Sequence, residues 1–222
     1  MEKQKISYFL LLILFVVACT DKKDEPKKRA LPFWGNYDVV ISESNGKETR
    51  DTIFPKIPSF KYLDQDSNWL ESKSIKGKIW IANFFFTSCP SICPPTMSQL
   101  KRLNILTKDL ENEVEFLSFS IDPTTDTPNV LKEYATNNGI NLSNWHLLTG
   151  NEKRTHQLGV DHFMVHADKD PSAAGGFAHS DGVVLVDKEG YVRGIYNGMK
   201  TEQIDLLNKD LRKLLQIEYG KK

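Results

Sequence analysis

From Lys78 to Phe86 the chain is nearly continuous in apolar and aromatic residues, the pattern of a central strand covered on both faces. Pro94 and Pro95 then suit the first turn of a helix, which Met97, Leu100, Leu103 and Leu106 continue at helical spacing. After that, elements alternate. Residues 114–121 read as a strand, 127–136 as a helix with Pro128 near its start, 145–148 as a short strand and 151–158 as a short helix. Residues 182–186 and 191–196 form a hairpin around Asp187, Lys188, Glu189 and Gly190, and Ile204, Leu207, Leu211 and Leu214 mark a final amphipathic helix. Ahead of this body, residues 34–56 carry two short β-rich runs, Tyr37 to Ser42 and Asp51 to Phe54, separated by turn residues from Ser44 to Lys47.

Strand–helix–strand followed by hairpin and helix predicts an α/β fold, a thioredoxin-like three-layer α/β/α sandwich over residues 57–222 with a small N-terminal β extension over 34–56. In such a fold Cys89 sits at a helix N-terminus, where the dipole favours thiolate. Cys89 and Cys93 leave the end of the apolar strand four positions apart, so on a helix they share a face and their sulfurs can converge on a soft metal ion or on each other. Three intervening residues, where thioredoxin-type motifs have two, tilt the reading toward metal handling. Spacing alone does not decide it.

The first residues read as an export signal. Lys3 and Lys5 precede an apolar stretch, Tyr8 to Val17, that is short for a bilayer span. It ends in Val16, Val17, Ala18 and Cys19, which resembles the lipobox of bacterial lipoproteins, in which the cysteine is acylated and becomes the mature N-terminus. The hydrophilic run from Thr20 to Arg29 fits a solvated tether. The expectation is therefore a signal peptide over 1–18, a membrane tether over 19–33 starting at a lipidated Cys19, and a domain in the bacterial cell envelope facing the periplasm or the outer side of the membrane.

The chain of 222 residues has 29 basic and 29 acidic side chains; without residues 1–18 these become 27 and 28. That balance gives no basic surface for nucleic acid. With Cys19 used as an anchor, the single remaining pair is no disulfide scaffold.

Three segments carry a family resemblance: Cys89-Pro-Ser-Ile-Cys93-Pro, the run from Ser118 to Pro128, and Phe177-Ala-His-Ser180. From about Ile57 to the C-terminus the chain is similar to the Sco (SenC) family, copper-binding thioredoxin-fold proteins that assist the binuclear copper A centre of cytochrome c oxidase. The resemblance implies copper ligation by Cys89, Cys93 and His179. It also implies the copper-binding subunit II of the oxidase as acceptor, and an upstream copper donor or thiol reductant. Two thiolates and one imidazole suit copper(I) and leave it reachable by an acceptor. Where thioredoxin reductants place a proline facing the cysteines, this chain has Ala178-His179-Ser180, with no proline after Pro171. It departs from many relatives in having Ser91 inside the cysteine motif and Ala178 before the histidine, where they carry acidic residues.

Other readings stay beside this one. Cys89 and Cys93 could serve as the redox pair of a thiol–disulfide oxidoreductase that keeps the oxidase cysteines reduced, the form in which the protein would be an enzyme. A peroxide-reducing role is weaker, because Thr87 stands only two residues before Cys89. His162 and His166 have i, i+4 spacing, but Phe163, Met164 and Val165 between them read as a strand. His146 and His156 read as polar or capping positions, Met97 as a packing residue, and Phe84, Phe85 and Phe86 as core. Asp122 and Asp126 read as turn and capping residues before Pro128. Asp181 is a candidate support for the imidazole, and Gly175 and Gly176 suggest a mobile loop before His179.

Overall fold

A computed structural model describes residues 28–44, 46–170, 172 and 177–220; the side chains of 167–169, 178 and 179 are outside that description. The expected signal peptide, Cys19, most of the tether and the glycine loop at 175–176 lie outside the described residues.

In chain order the strands and helices are β1 (Asp38–Ser44), β2 (Lys47–Ile53), β3 (Lys61–Leu63), β4 (Trp69–Glu71), β5 (Ile79–Phe85), α1 (Cys93–Leu106), β6 (Val114–Ser120), α2 (Pro128–Asn137), β7 (Trp145–Leu148), α3 (Glu152–Leu158), β8 (Ala167–Lys169), β9 (Phe177–His179), β10 (Gly182–Val186), β11 (Val192–Asn197) and α4 (Thr201–Tyr219). The main sheet has five strands in the order β11-β10-β5-β6-β7. β5, β6 and β7 run parallel, while β10 is antiparallel to both β5 and β11. Every residue of β5 and β6 is buried, as their unbroken apolar character requires when helices cover both faces of a sheet.

Alternate side chains of β5 sort the two faces. Phe85 packs on Tyr134 of α2, and the Asn83 amide donates to the Met97 sulfur of α1 at 3.8 Å. On this face the Ser118 hydroxyl donates to Asn83 at 2.6 Å and accepts from the Trp145 indole at 2.9 Å, so the buried polar groups satisfy one another. Phe84 points the other way, stacking on Phe119 at 5.2 Å and meeting Phe163 edge-on at 5.4 Å. Phe60 and Tyr62 complete that aromatic cluster.

Local chemistry sets the helix ends. The Thr127 hydroxyl accepts from the Val130 amide ahead of α2, with Pro128 in the first turn. Asn151 caps α3 through the Arg154 amide at 2.9 Å. The strand expected at Phe163, Met164 and Val165 is not one. α3 runs on into a wider π turn, Gly159–Phe163, and Met164 closes it in the left-handed conformation at φ 57°. The Met164 and Val165 amides both return to the Gly159 carbonyl, the latter at 3.0 Å, and so close the helix end. At this helix end Phe163 and Val165 enter the core on either side of the reversal, while Met164 between them is half-buried.

The expected tether over 19–33 also needs a correction at its C-terminal end. Ala30 and Leu31 are buried, because Arg193, itself 1% exposed, gathers them. Its guanidinium donates to the Leu31 carbonyl at 2.6 Å and the Pro32 carbonyl at 3.1 Å, pairs with Asp187 at 2.9 Å and with Glu218, and lies over the Phe33 ring. The Ala30 amide donates to Glu218 at 2.7 Å. A cluster of apolar residues after a hydrophilic run therefore marks a docked strap. By contrast the β1–β2 hairpin is exposed along its whole length, and its antiparallel register joins Asp38 to Ile53 and Ser44 to Lys47.

Arg193→Met should remove about 3–5 kcal/mol of stability in urea unfolding, since Asp187 and Glu218 would be left as buried charges without their partner; a loss below about 1 kcal/mol would contradict this account of the strap.

Candidate metal centre

β5 ends at Phe85, and the chain turns through Phe86, Thr87 and Ser88 into Cys89. The Cys89 amide donates to the Phe86 carbonyl at 3.2 Å, which tightens this turn. Cys93 is the first residue of α1, and Pro94 and Pro95 follow in the first turn, where their missing amides cost nothing. Both cysteines are thiols rather than a disulfide, and both are buried, 7% and 3% exposed. Their thiols lie within hydrogen-bonding reach of each other.

The two thiols are electrostatically unlike. Burial pushes Cys89 up, but donation from the Ser91 and Cys93 amides, the Cys93 thiol and the Ile92 amide outweighs it and holds Cys89 below its ordinary value. Cys93 is pushed far up, first by burial and then by the neighbouring Cys89 and Asp126; donation from the Phe86 amide only partly offsets this. Tyr134 of α2 shares the environment and is pushed up to about 12 by burial, with Cys93, Cys89 and Asp126 adding to it.

Beneath the cysteine turn sits Asp126, fully buried. Its carboxylate accepts from the Thr87 amide at 3.1 Å, from the Thr87 hydroxyl, and from the Ser120 hydroxyl at 2.6 Å. The expectation that Asp126 caps α2 is thus corrected. Thr127 is the cap, and Asp126 ties the ends of β5 and β6 together. Asp122 has the expected turn role, its carbonyl accepting from the Thr125 and Asp126 amides and its carboxylate from the Thr124 hydroxyl.

β9 approaches from the other side. Its backbone pairs with β8, His179 opposite Ala167 and Phe177 opposite Lys169. The Phe177 ring packs on Phe86 at 5.1 Å and against the edge of His156 at 6.2 Å. Thus the strand that carries His179 touches the residue from which the cysteine turn departs. At its exit the Gly198 amide donates to the Asp181 carbonyl at 2.7 Å, and a Cβ on Gly198 would meet Thr96 of α1 at 2.7 Å. Only glycine lets this loop pass so close to the first turn of α1.

The other candidates are accounted for elsewhere. The Met97 sulfur takes the Asn83 amide in the core. His146 faces Glu115 at 3.3 Å on β7, and the His156 Nε2 meets the Ile121 carbonyl at 2.9 Å. His162 sits in the π turn, and His166 follows the reversal at Met164, its carbonyl accepting from the Ser180 amide. Among the described residues no three His, Cys, Asp or Glu side chains converge as a metal site, a set that omits the His179 ring. Asp126, Thr87, Tyr134 and Phe177 take parts at the site that sequence reasoning did not give them. Asp126 and Phe177 were signalled by standing in the segments that carry the resemblance, and Thr87 by the polar pair with Ser88 that interrupts an apolar run.

A thioredoxin-like sheet with paired thiols at the start of its first helix defines the class. The chain belongs to the SCO1/SenC family, whose model matches residues 49–216. It is similar to a SCO1/SenC family lipoprotein from Bacillus anthracis str. Ames, with 31% identity and a TM-score of 0.66 over 72% of this chain and 94% of that one. BsSco, described as a member of the Sco family of cytochrome c oxidase assembly proteins with a disulfide switch, has 30% identity and a TM-score of 0.64 over 72% and 92%. Yeast Sco1 with copper bound has 27% identity and a TM-score of 0.56 over 71% and 90%.

The unlike thiols predict selective chemistry. Because Cys89 titrates below its ordinary value and Cys93 far above its own, limiting iodoacetamide near neutral pH should label Cys89 first, and raising the pH toward 9 should still leave Cys93 lagging. Peptide mass mapping reads the order, and equal labelling of the two would contradict it.

Proposed function

We propose that this protein is a membrane-tethered copper chaperone for cytochrome c oxidase assembly. In this reading it accepts copper at Cys89, Cys93 and His179 and passes it by ligand exchange to the binuclear copper A centre in subunit II. Cys19 carries the acyl anchor, the domain stands on the outer side of the membrane or in the periplasm, and an upstream copper donor or reductant loads it. The observation that carries the reading is the pair of adjacent thiols at the start of α1, with amide donors around Cys89 that favour thiolate. Soft thiolates suit copper(I), and two of them with one imidazole leave the ion open to an incoming ligand.

Support for the third ligand comes from β9. Strand alternation gives positions 177 and 179 the same face, and position 177 packs on Phe86 at the root of the cysteine turn. Copper in yeast Sco1 and the oxidase-assembly description of BsSco, both relatives above 25% identity, support the cargo and the pathway. The lipoprotein description of the Bacillus anthracis relative supports the anchor at Cys19. Among the described residues no helix is long and apolar enough to cross a membrane.

Copper titration of the reduced protein against a competing chelator tests the ligand set. His179→Ala should weaken binding by more than about tenfold and Cys93→Ser by still more, as loss of a ligand exceeds loss of a supporting contact. Parent-like affinity in either variant would show that the site is wrong.

A second reading rests on the inequality of the thiols, which is the arrangement of an attacking and a resolving cysteine. On that reading the protein reduces the disulfide of the acceptor's copper site while Cys89 and Cys93 become a disulfide. Oxidase assembly in cells carrying His179→Ala separates the two: full assembly supports the reductase, and loss of assembly with unchanged dithiol potential supports the chaperone.

A further inference from the structure

The strand β5 delivers the chain to the cysteine turn, and where it ends its backbone loses its ladder partners. The Ile121 amide still reaches the Phe85 carbonyl at 2.9 Å, but Thr87 is past the last paired residue. Its amide needs an acceptor in a buried place. Asp126 provides it from the loop after β6, and the same carboxylate takes the Thr87 and Ser120 hydroxyls. Burial pushes this carboxyl up and the Asp122 carboxylate adds to that, while the three donors from Ser120 and Thr87 oppose them by favouring its ionised form. It is fully buried, and its charge reaches both Cys93 and Tyr134.

We propose that Asp126 is a positioning residue of the copper site with two effects: it clamps the turn that carries Cys89 through Thr87, and it sets a fixed negative charge behind Cys93 that favours copper(II) over copper(I). This deepens the copper reading above and rests on it. The electrostatic argument is short. An anion at a fixed distance attracts a doubly charged ion twice as strongly as a singly charged one, whatever the thiolates contribute, because the thiolates are common to both states. Low-dielectric surroundings leave that difference largely unscreened. The balance of affinity between the two oxidation states would then depend on a residue outside the proposed ligand set.

The clamp has a separate consequence in the protein without metal. Thr87 is two residues from Cys89 and follows directly on Phe86, whose carbonyl holds the Cys89 amide. Releasing Thr87 frees the turn at its root.

Two measurements on the whole chain test the proposal. In the first, copper(I) and copper(II) affinities are measured by chelator competition for the parent and Asp126→Asn. Removing the charge while keeping the shape should raise the copper(I)-to-copper(II) affinity ratio by roughly tenfold or more, the scale of one nearby charge. In the second, amide hydrogen exchange is followed over residues 87–93 without copper. Thr87→Val keeps the charge but removes one anchoring hydroxyl, so exchange there should quicken while the affinity ratio stays at the parent value. An unchanged ratio in Asp126→Asn overturns the charge effect, and so does an equal fall in both affinities. Unchanged exchange in Thr87→Val overturns the clamp. If Asp126→Asn loses its near-ultraviolet circular dichroism, Ser120→Ala, which removes one donor from the carboxylate, replaces it: a shift of the ratio toward copper(II) supports the proposal and no shift overturns it. Failure of the parent itself to bind copper would instead overturn the ligand reading on which the proposal stands.

Discussion

The site is organised by Phe86. Its carbonyl accepts from the Cys89 amide, its amide donates to the Cys93 thiol, and its ring packs on Phe177 of the strand that carries His179. One residue thus holds three approaches to the same point. It can do so because it is buried at the exit of a central strand, where the backbone has left the ladder and its polar groups are free to serve the turn. The hydrophobic contact of Phe86 with Phe177 and the hydrogen bonds to the cysteines are the same constraint seen from two sides.

Around that junction the fold holds its polar groups in buried pairs. Asp126 fastens the ends of β5 and β6 beneath the cysteines. Ser118, Asn83 and Trp145 close a chain of hydrogen bonds across three strands under α1. At the opposite end of the sheet, beside the turn between β10 and β11, Arg193 binds the incoming strap. The chain therefore enters the domain at one pole and presents its thiols at the other. Such an orientation would suit the tethered chaperone proposed above.

Most of the architecture was legible in the sequence. Central strands announced themselves by continuous apolar runs, and helices by their period and by Thr127, Asn151 and the prolines at their starts. The cysteine motif marked the thiols, but only Cys93 lies on α1; Cys89 stands in the turn before it, so the two do not share a helical face as the spacing suggested. What failed to show were features made by contact across the fold. Phe163 and Val165 looked like strand residues because burial at a helix reversal leaves the same alternation. The strap at Ala30 and Leu31 is ordered by Arg193, which stands 162 positions after Leu31, and no local pattern records that pairing. Asp126 resembled a cap because aspartate before Thr-Pro so often is one. The small β8–β9 pair has only three residues a side and no periodic signal of its own.

X-ray absorption at the copper edge of the loaded chain tests the central claim most directly, namely that Phe86 brings two sulfurs and one imidazole to a single ion. The account predicts two sulfur scatterers and one imidazole nitrogen in the parent, with the imidazole signal lost in His179→Ala and the sulfurs retained. A parent spectrum with sulfur alone, or an imidazole signal that survives in His179→Ala, would contradict it.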